Sequence, residues 1–200
     1  MNNSISPLDG RYSSDIVDLI PYFSEMALMR YRLEIEIEYL IKLSNERAIK
    51  ELQPISNKQK KELQKIYLGF DVKDAKRIKK IEKTTNHDVK AIEYFLKEKF
   101  QELNLSKFVE FIHFGLTSQD INNTAIPLSL KEMFDEVYYN SIELILSSLE
   151  EISNEWKDIP MIARTHGQPA SPTKLGKEIK VFITRVNEQL KLLRNIPIAA

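Results

Sequence analysis

The sequence predicts an all-α fold, and three observations carry that prediction. The 200 residues include only five glycines, which leaves few turn residues for a multistranded β fold. Lys, Glu, Leu and Ile dominate the composition, a mixture that favours helices. Apolar residues recur at spacings of three and four along several long segments. We expect a small helical N-terminal domain over residues 1–116, followed over residues 117–200 by the first long helices of a central helical bundle.

The first predicted domain opens with an irregular segment and then becomes helical. Pro7 and Gly10 interrupt the first twenty residues. A long helical pattern follows Pro21 and is predicted to end before the turn signal Gln53-Pro54. Two shorter, charged helices are predicted over residues 58–68 and 72–81.

The polar run at residues 84–88 breaks the helical pattern, and a further helix follows it. Asn86 or Asp88 is predicted to cap this helix, because a short polar side chain can accept the free amides of a first turn. One face of the helix is apolar at helical spacing. Its residues are Val89, Ile92, Leu96, Phe100 and Leu103.

The second half reads as two long helices joined by a loop. Thr117 to Asp120 has the form of a capping box and starts a pattern that runs to Trp156. Pro127 lies inside this pattern, so we expect a kink or a late start there. Residues 161–172 are predicted to be a loop. Ser171-Pro172 is predicted to begin the last helix, with proline at its first position.

Composition excludes several classes of function. The 29 basic and 29 acidic side chains give zero net charge, which argues against a nucleic-acid surface. With no Cys and three His lacking a metal-ligand spacing, no metal site is expected, and no Gly-rich phosphate loop or other cofactor signal is present. No apolar run approaches the roughly 20 residues of a membrane span. Residues 1–4 show no signal-peptide pattern, so we expect a soluble cytoplasmic protein.

All three histidines, His87, His113 and His166, lie at or beside predicted helix junctions. Such positions present side chains and free helix amides to ligands. Taken singly, each histidine is better explained as a structural residue of a turn or cap. The pair Thr117-Ser118 is a helix cap that can also place hydroxyls against an anion.

Four motifs in order carry a family resemblance. They are the stretches at residues 6–12, 81–91, 111–123 and 164–170. Together they resemble the N-terminal part of the adenylosuccinate lyases of the bacterial form, a family within the fumarase/aspartase superfamily. Any one stretch is a weak signal, but four in the family's order span nearly the whole chain.

The resemblance implies a reaction and roles for individual residues. Adenylosuccinate would be split into AMP and fumarate, and SAICAR into AICAR and fumarate, by β-elimination in purine nucleotide biosynthesis. By resemblance, His166 is the general acid, and Arg11 and Tyr12 hold the nucleotide phosphate. The remaining implied contacts to nucleotide and succinyl groups come from Asn86, His87, Asp88, Thr117 and Ser118.

The resemblance also implies that the machinery extends beyond these residues. The family's general base is a serine on a downstream loop with Met, Lys and Asn, and no such loop occurs in this sequence. We therefore expect an N-terminal fragment, inactive alone, of an enzyme whose active sites combine three subunits of a homotetramer. The implied partner is a small-molecule nucleotide substrate.

Two other functions compete with this interpretation. The first is another fumarate-releasing lyase of the superfamily, such as argininosuccinate lyase or fumarase. The run at residues 84–88 and the pair Arg11-Tyr12 favour the nucleotide enzyme. A non-catalytic helical assembly module would instead show ordinary caps and no ligand pocket.

Overall fold

The structure, a computed structural model, describes residues 5–199 and confirms the predominantly helical fold. Residues 1–4, on which the signal-peptide expectation rests, and residue 200 lie outside the described residues. The α-helices are α1 (Ile20–Phe23), α2 (Glu25–Leu43), α3 (Asn57–Leu68), α4 (Val72–Thr85), α5 (Asp88–Glu102), α6 (Ser118–Met133), α7 (Tyr139–Glu155) and α8 (Leu175–Arg194). The two strands are β1 (Pro160–Thr165) and β2 (Gln168–Lys174). Short 3-10 helices cover Val17–Leu19 and Ser106–Phe111.

Two compact units make up the described chain, one over residues 5–132 and one over residues 133–198. The expected domain boundary at residues 116–117 stays a prediction. The first unit holds the main core, built from α2, α3, α4 and α5. The helical period predicted its apolar faces: Leu33, Ile37 and Leu40 of α2 are buried, as are Ile92, Leu96 and Phe100 of α5.

Helix α2 ends nine residues earlier than predicted. It ends at Leu43 because Ser44 turns the chain: its Oγ donates to the Ile41 carbonyl at 2.8 Å and accepts from the Ile55 N–H at 3.3 Å. Polar side chains of this kind compete with the helical hydrogen bonds. The segment after the turn brings Leu52 and Ile55 back into the core.

In the second unit, α7 and α8 pack together and an antiparallel β-hairpin joins them. The prediction of a loop at residues 161–172 was wrong. Thr165 pairs with Gln168, and the two-residue turn between them has positive φ at both His166 (51°) and Gly167 (78°), as a type I′ hairpin requires. The predicted helix start at Ser171-Pro172 was also wrong, since both residues lie in β2 and α8 begins at Leu175.

Pro127 lies within α6 without delaying its start, which is at Ser118. The irregularity comes later, where Phe134–Tyr138 form a wider π-helical turn between α6 and α7. Such turns arise where one extra residue enters a helix. Of the two alternatives that we expected at Pro127, the late start was therefore wrong, and the kink stays a prediction.

Candidate functional site

A pocket of about 460 Å³ opens in the first unit beside the junction of α4 and α5. The structure brings three of the predicted site residues, Asn86, His87 and Asp88, into its wall. The other lining residues come from α2, α4 and α5. They are Glu25, Leu28, Met29, Arg32, Ile78, Glu82 and Ile92.

The α4–α5 junction is tight because each of its residues ends or starts a helix. Asn86 adopts a left-handed conformation (φ 51°) and closes α4, its N–H donating to the Glu82 carbonyl at 2.7 Å. Asn tolerates this conformation better than most residues. His87, in an extended conformation, is the N-cap of α5. The prediction that Asn86 or Asp88 caps α5 was therefore wrong.

The capping contact indicates which tautomer a neutral His87 ring adopts. Its Nδ1 accepts from the Lys90 N–H at 3.2 Å. In the neutral ring an accepting Nδ1 leaves the proton on Nε2. Nε2 lies 3.4 Å from the Ser118 Oγ, to which it can donate. About half of the His87 side chain is exposed, so this contact lies at an accessible surface.

Arg32 on α2 holds this region together, and sequence reasoning missed it. Its Nη2 lies 2.7 Å from Asp88 Oδ2, and its Nε donates to Asn122 Oδ1 of α6 at 2.9 Å. Only 9% of the Arg32 side chain is exposed. Burial raises the pKa of Asp88, but the Val89 N–H and the Arg32 guanidinium outweigh it and hold this pKa below its usual range.

Thr117 and Ser118 make different contacts, and the anion-binding role suggested for the pair stays a prediction. The Thr117 N–H and hydroxyl both donate to Asp120 Oδ2, at 2.7 and 2.8 Å, so Thr117 serves the helix start. The Thr117 N–H, ahead of the hydroxyl, holds the pKa of Asp120 below its usual range. Ser118, the first residue of α6, faces His87 instead.

Arg11 and Tyr12 lie in an exposed series of turns that precedes α1. The Arg11 guanidinium lies 5.5 Å from the centre of the Tyr12 ring, and the Tyr12 N–H donates to the Pro7 carbonyl at 2.9 Å. Neither residue lines the pocket around His87. The contacts described for Arg11 and Tyr12 are therefore with each other and with nearby Pro7.

His166 belongs to the second unit, where it forms the tip of the β1–β2 hairpin. Its side chain is exposed, and its backbone has φ 51°. Arg164 braces the tip, since its Nη1 donates to the Gly167 carbonyl at 3.2 Å. The two-residue turn therefore exposes the His166 imidazole at the tip of a short hairpin.

His113 pairs with a buried carboxylate that the sequence did not reveal. Its Nδ1 lies 2.5 Å from Glu36 Oε1, and the Glu36 side chain is fully buried. Burial raises the pKa of Glu36, while His113 lowers it by a smaller amount. The second oxygen, Oε2, has no hydrogen-bond partner. His113 therefore has a structural anchor at the end of the segment that leads into α6.

Within residues 5–199, no three His, Asp or Glu side chains are grouped so that they could bind a metal ion. No helix in this part of the chain is long and apolar enough to cross a membrane.

Hydrogen-bond donors lie beside the pocket, where His87 of its wall contacts the start of α6. The Nε2–H of His87 and the hydroxyl of Ser118 meet at the first turn of α6, whose free amides carry partial positive charge. Such an arrangement suits a carboxylate or another group on which negative charge develops.

The fold is shared with solved enzymes of low sequence identity. A fumarate lyase from Mesorhizobium sp. BNC1 superimposes with a TM-score of 0.70 at 19% identity, over 88% of this chain and 39% of that one. A beta-carboxy-cis,cis-muconate cycloisomerase from Acinetobacter calcoaceticus gives a TM-score of 0.62 at 17% identity, over 87% of this chain and 39% of its own. These comparisons show that the helical fold is one that known enzymes share.

A family model described as lyase matches residues 10–198, and the chain belongs to that family. Curated adenylosuccinate lyases are similar over nearly its whole length. The protein from Dictyostelium discoideum is 53% identical over 96% of this chain, and that from Escherichia coli K12 is 42% identical over 98%. The chain spans 43% of the length of each of these relatives. The resemblance drawn from the four motifs is confirmed.

Proposed function

We propose that a complete enzyme containing this chain cleaves adenylosuccinate to AMP and fumarate, and SAICAR to AICAR and fumarate. The observation that carries the proposal is the contact between His87, which lines the pocket, and Ser118, which comes from a different motif. The names of the similar curated proteins support the same substrate. The protein would act in the cytoplasm as a homotetramer with composite active sites.

The proposed reaction is a β-elimination. A base takes a proton from the carbon next to a carboxylate, the C–N bond to the purine side breaks, and the electron pair forms the double bond of fumarate. Negative charge grows on the carboxylate as the proton leaves. The donors at the start of α6, together with His87, are suited to stabilise that charge.

His166 is proposed as the acid that protonates the departing nitrogen. An exposed imidazole can transfer a proton near neutral pH. Arg11 and Tyr12 are proposed to hold the phosphate, and Asn86, Asp88 and Thr117 to complete the binding surface. The base is proposed to be a serine on a loop that this sequence does not contain.

The test is an assay of the complete purified enzyme on adenylosuccinate, SAICAR, argininosuccinate and fumarate. Turnover of the first two, followed by the change in absorbance, is the expected result. Preference for argininosuccinate, or hydration of fumarate alone, would reassign the enzyme within the superfamily. If no substrate is turned over, and nucleotide does not raise the melting temperature, the non-catalytic assembly module becomes the better explanation.

The chain of 200 residues should by itself show no lyase activity, because the proposed base is missing from it. The same assay with purified chain checks this expectation. Turnover at a rate near that of the complete enzyme would contradict it and would require a base among these residues.

A further inference from the structure

Arg32 is the one buried cation among the side chains that line the His87 pocket. It extends from α2 to two other helices: Asp88 is the first residue of α5, and Asn122 lies on α6. A guanidinium is planar and can donate in two directions at once, so a single side chain fixes both partners. A lysine ammonium cannot reproduce that fork.

The two partners of Arg32 are close neighbours of His87 and Ser118, whose side chains meet beside the pocket. Asp88 directly follows His87 in the chain. Asn122 lies four residues after Ser118 on α6, which places the two side chains one above the other on the same helix face. Arg32 therefore holds α5 and α6 at the points that set the separation of His87 Nε2 and Ser118 Oγ, 3.4 Å in the structure.

We propose that Arg32 is a positioning residue for the reaction, which acts by fixing His87 against Ser118. The expected loss of kcat/KM rests on the proposed function. The expected release of the His87 ring does not, since it involves only residues of the first unit. The Arg32 side chain is nearly covered and already engaged by Asp88 and Asn122, so its effect reaches the substrate through His87 and Ser118.

The kinetic test compares Arg32→Met with Arg30→Met in the complete enzyme. Arg30 lies on the same helix, but its ion pairs are with Glu34 and Glu132, away from the pocket. Loss of positioning is expected to lower kcat/KM on adenylosuccinate by about 10- to 100-fold in Arg32→Met, since small misplacements at a reacting centre have effects of this size. Arg32→Lys should recover only part of the loss, and Arg30→Met should stay near wild type.

A second measurement needs no activity. The reaction of the His87 ring with diethyl pyrocarbonate, followed by mass spectrometry of its peptide, reports how freely the ring leaves its contacts with Lys90 and Ser118, because the reagent needs a free nitrogen lone pair. Arg32→Met and Ser118→Ala should both speed the modification of His87 several-fold, because each removes the restraint on the ring. Arg30→Met should leave the rate unchanged.

Asn122→Ala covers the case in which Arg32→Met fails to fold. It removes one charge-assisted hydrogen bond and should lower kcat/KM by about tenfold, with the same rise in His87 modification. If folded Arg32 and Asn122 variants match Arg30→Met in both measurements, the inference is overturned. If the wild-type enzyme turns over neither proposed substrate, the proposed function fails, and the rate of His87 modification still decides whether Arg32 positions the ring.

Discussion

His166 is a residue at which backbone conformation and side-chain chemistry can be tested separately. In the complete enzyme, His166→Asn keeps a residue that accepts the left-handed conformation of the turn but removes the proton donor. We expect kcat to fall by about 10²–10⁴-fold, with a smaller change in KM, because the acid acts only as the nitrogen departs. Steady-state kinetics and melting temperature should be measured together.

His166→Ala is the companion variant, since it removes the proton donor and also strains the turn. It should lose as much kcat as His166→Asn and lower the melting temperature as well. If His166→Asn keeps the kcat of the wild type, His166 is not the acid, and His87 becomes the next candidate for that role.

The buried pair of Glu36 and His113 predicts a pH dependence of stability. Burial raises the pKa of Glu36 above its usual 4.5 in the folded protein. The protonated carboxyl is therefore favoured by folding, and its contribution is complete below pH 4.5 and is lost as the pH rises through the folded pKa. The neutral Glu36→Gln variant lacks this loss.

Melting temperatures of wild type and Glu36→Gln should accordingly converge near pH 4.5 and diverge above it, with the wild type falling relative to the variant. Lys90→Gln offers a control for charge near this region, since its ammonium is half-exposed and pairs with Glu93. A wild type that gains stability over Glu36→Gln as the pH rises would show that His113 stabilises the carboxylate more than burial penalises it.

Gly176, near the start of α8, allows this helix to pack closely against the end of α7 because it has no side chain. A Cβ at this position would lie 2.2 Å from the Ser153 carbonyl oxygen and 2.8 Å from the Lys157 Cα, both backbone atoms. Ser153 Oγ also donates to the Gly176 carbonyl at 2.8 Å. Gly176→Ala should therefore destabilise the second unit by about 3 kcal/mol, at the upper end of usual overpacking costs.

The single tryptophan makes this measurable, because the Trp156 carbonyl accepts from the Gly176 N–H at 3.1 Å. Urea unfolding followed by Trp156 fluorescence should show an earlier midpoint for Gly176→Ala. The neighbouring exposed Lys177→Ala should stay within about 0.5 kcal/mol of wild type. Equal midpoints for the two variants would mean that the α7–α8 junction yields to admit a methyl group.

Helix α5 and the β1–β2 hairpin show which elements the sequence pattern could predict and which it could not. Helix α5 was predictable because Val89, Ile92 and Leu96 repeat at the helical period and are all buried. The hairpin was not, since three prolines and one glycine in a polar run are typical of a loop. Those prolines fit an isolated two-stranded ladder, where a missing N–H can face away from the partner strand.

The candidate site could likewise be predicted only in part from the sequence. The motifs identified His87 and Ser118 but gave no sign that their side chains meet. Sequence patterns could not identify Arg32, because charged residues are common on helices and its partner Asn122 lies 90 residues away. Its role depends on tertiary packing of three helices, which local patterns do not encode.

For the whole molecule, the chain of 200 residues is expected to self-associate. Large apolar side chains of the second unit stay exposed, including Ile145 (54%) and Phe182 (58%). Covering one such side chain fully is worth about 1.5–3 kcal/mol, so contact between copies is favoured. Not every residue of these faces contributes, because Leu190 is already buried within the unit.

Sedimentation velocity of the purified chain over a range of concentrations checks this expectation. The double variant Ile145→Glu with Phe182→Glu should shift the distribution toward monomer. Leu68→Glu, at an exposed position of the first unit, is the control and should not. A chain that stays monomeric at high concentration would contradict the expectation.

The hydrogen bond from Arg32 to Asn122 determines when the region around His87 can complete its folding. Neighbouring helices such as α4 and α5 can pair as soon as they exist, but contacts across 90 residues require closure of a long loop and form slowly. Tyr31 and Glu132 are joined across 101 residues in the same way. On the ribosome, where the N-terminal end emerges first, the guanidinium must wait until α6 has been synthesised. The contacts of Arg32 with Asn122 and of His87 with Ser118 are then among the last of the first unit to form. A nascent chain that stalls before α6 would have the core of the unit and the pocket wall without these contacts.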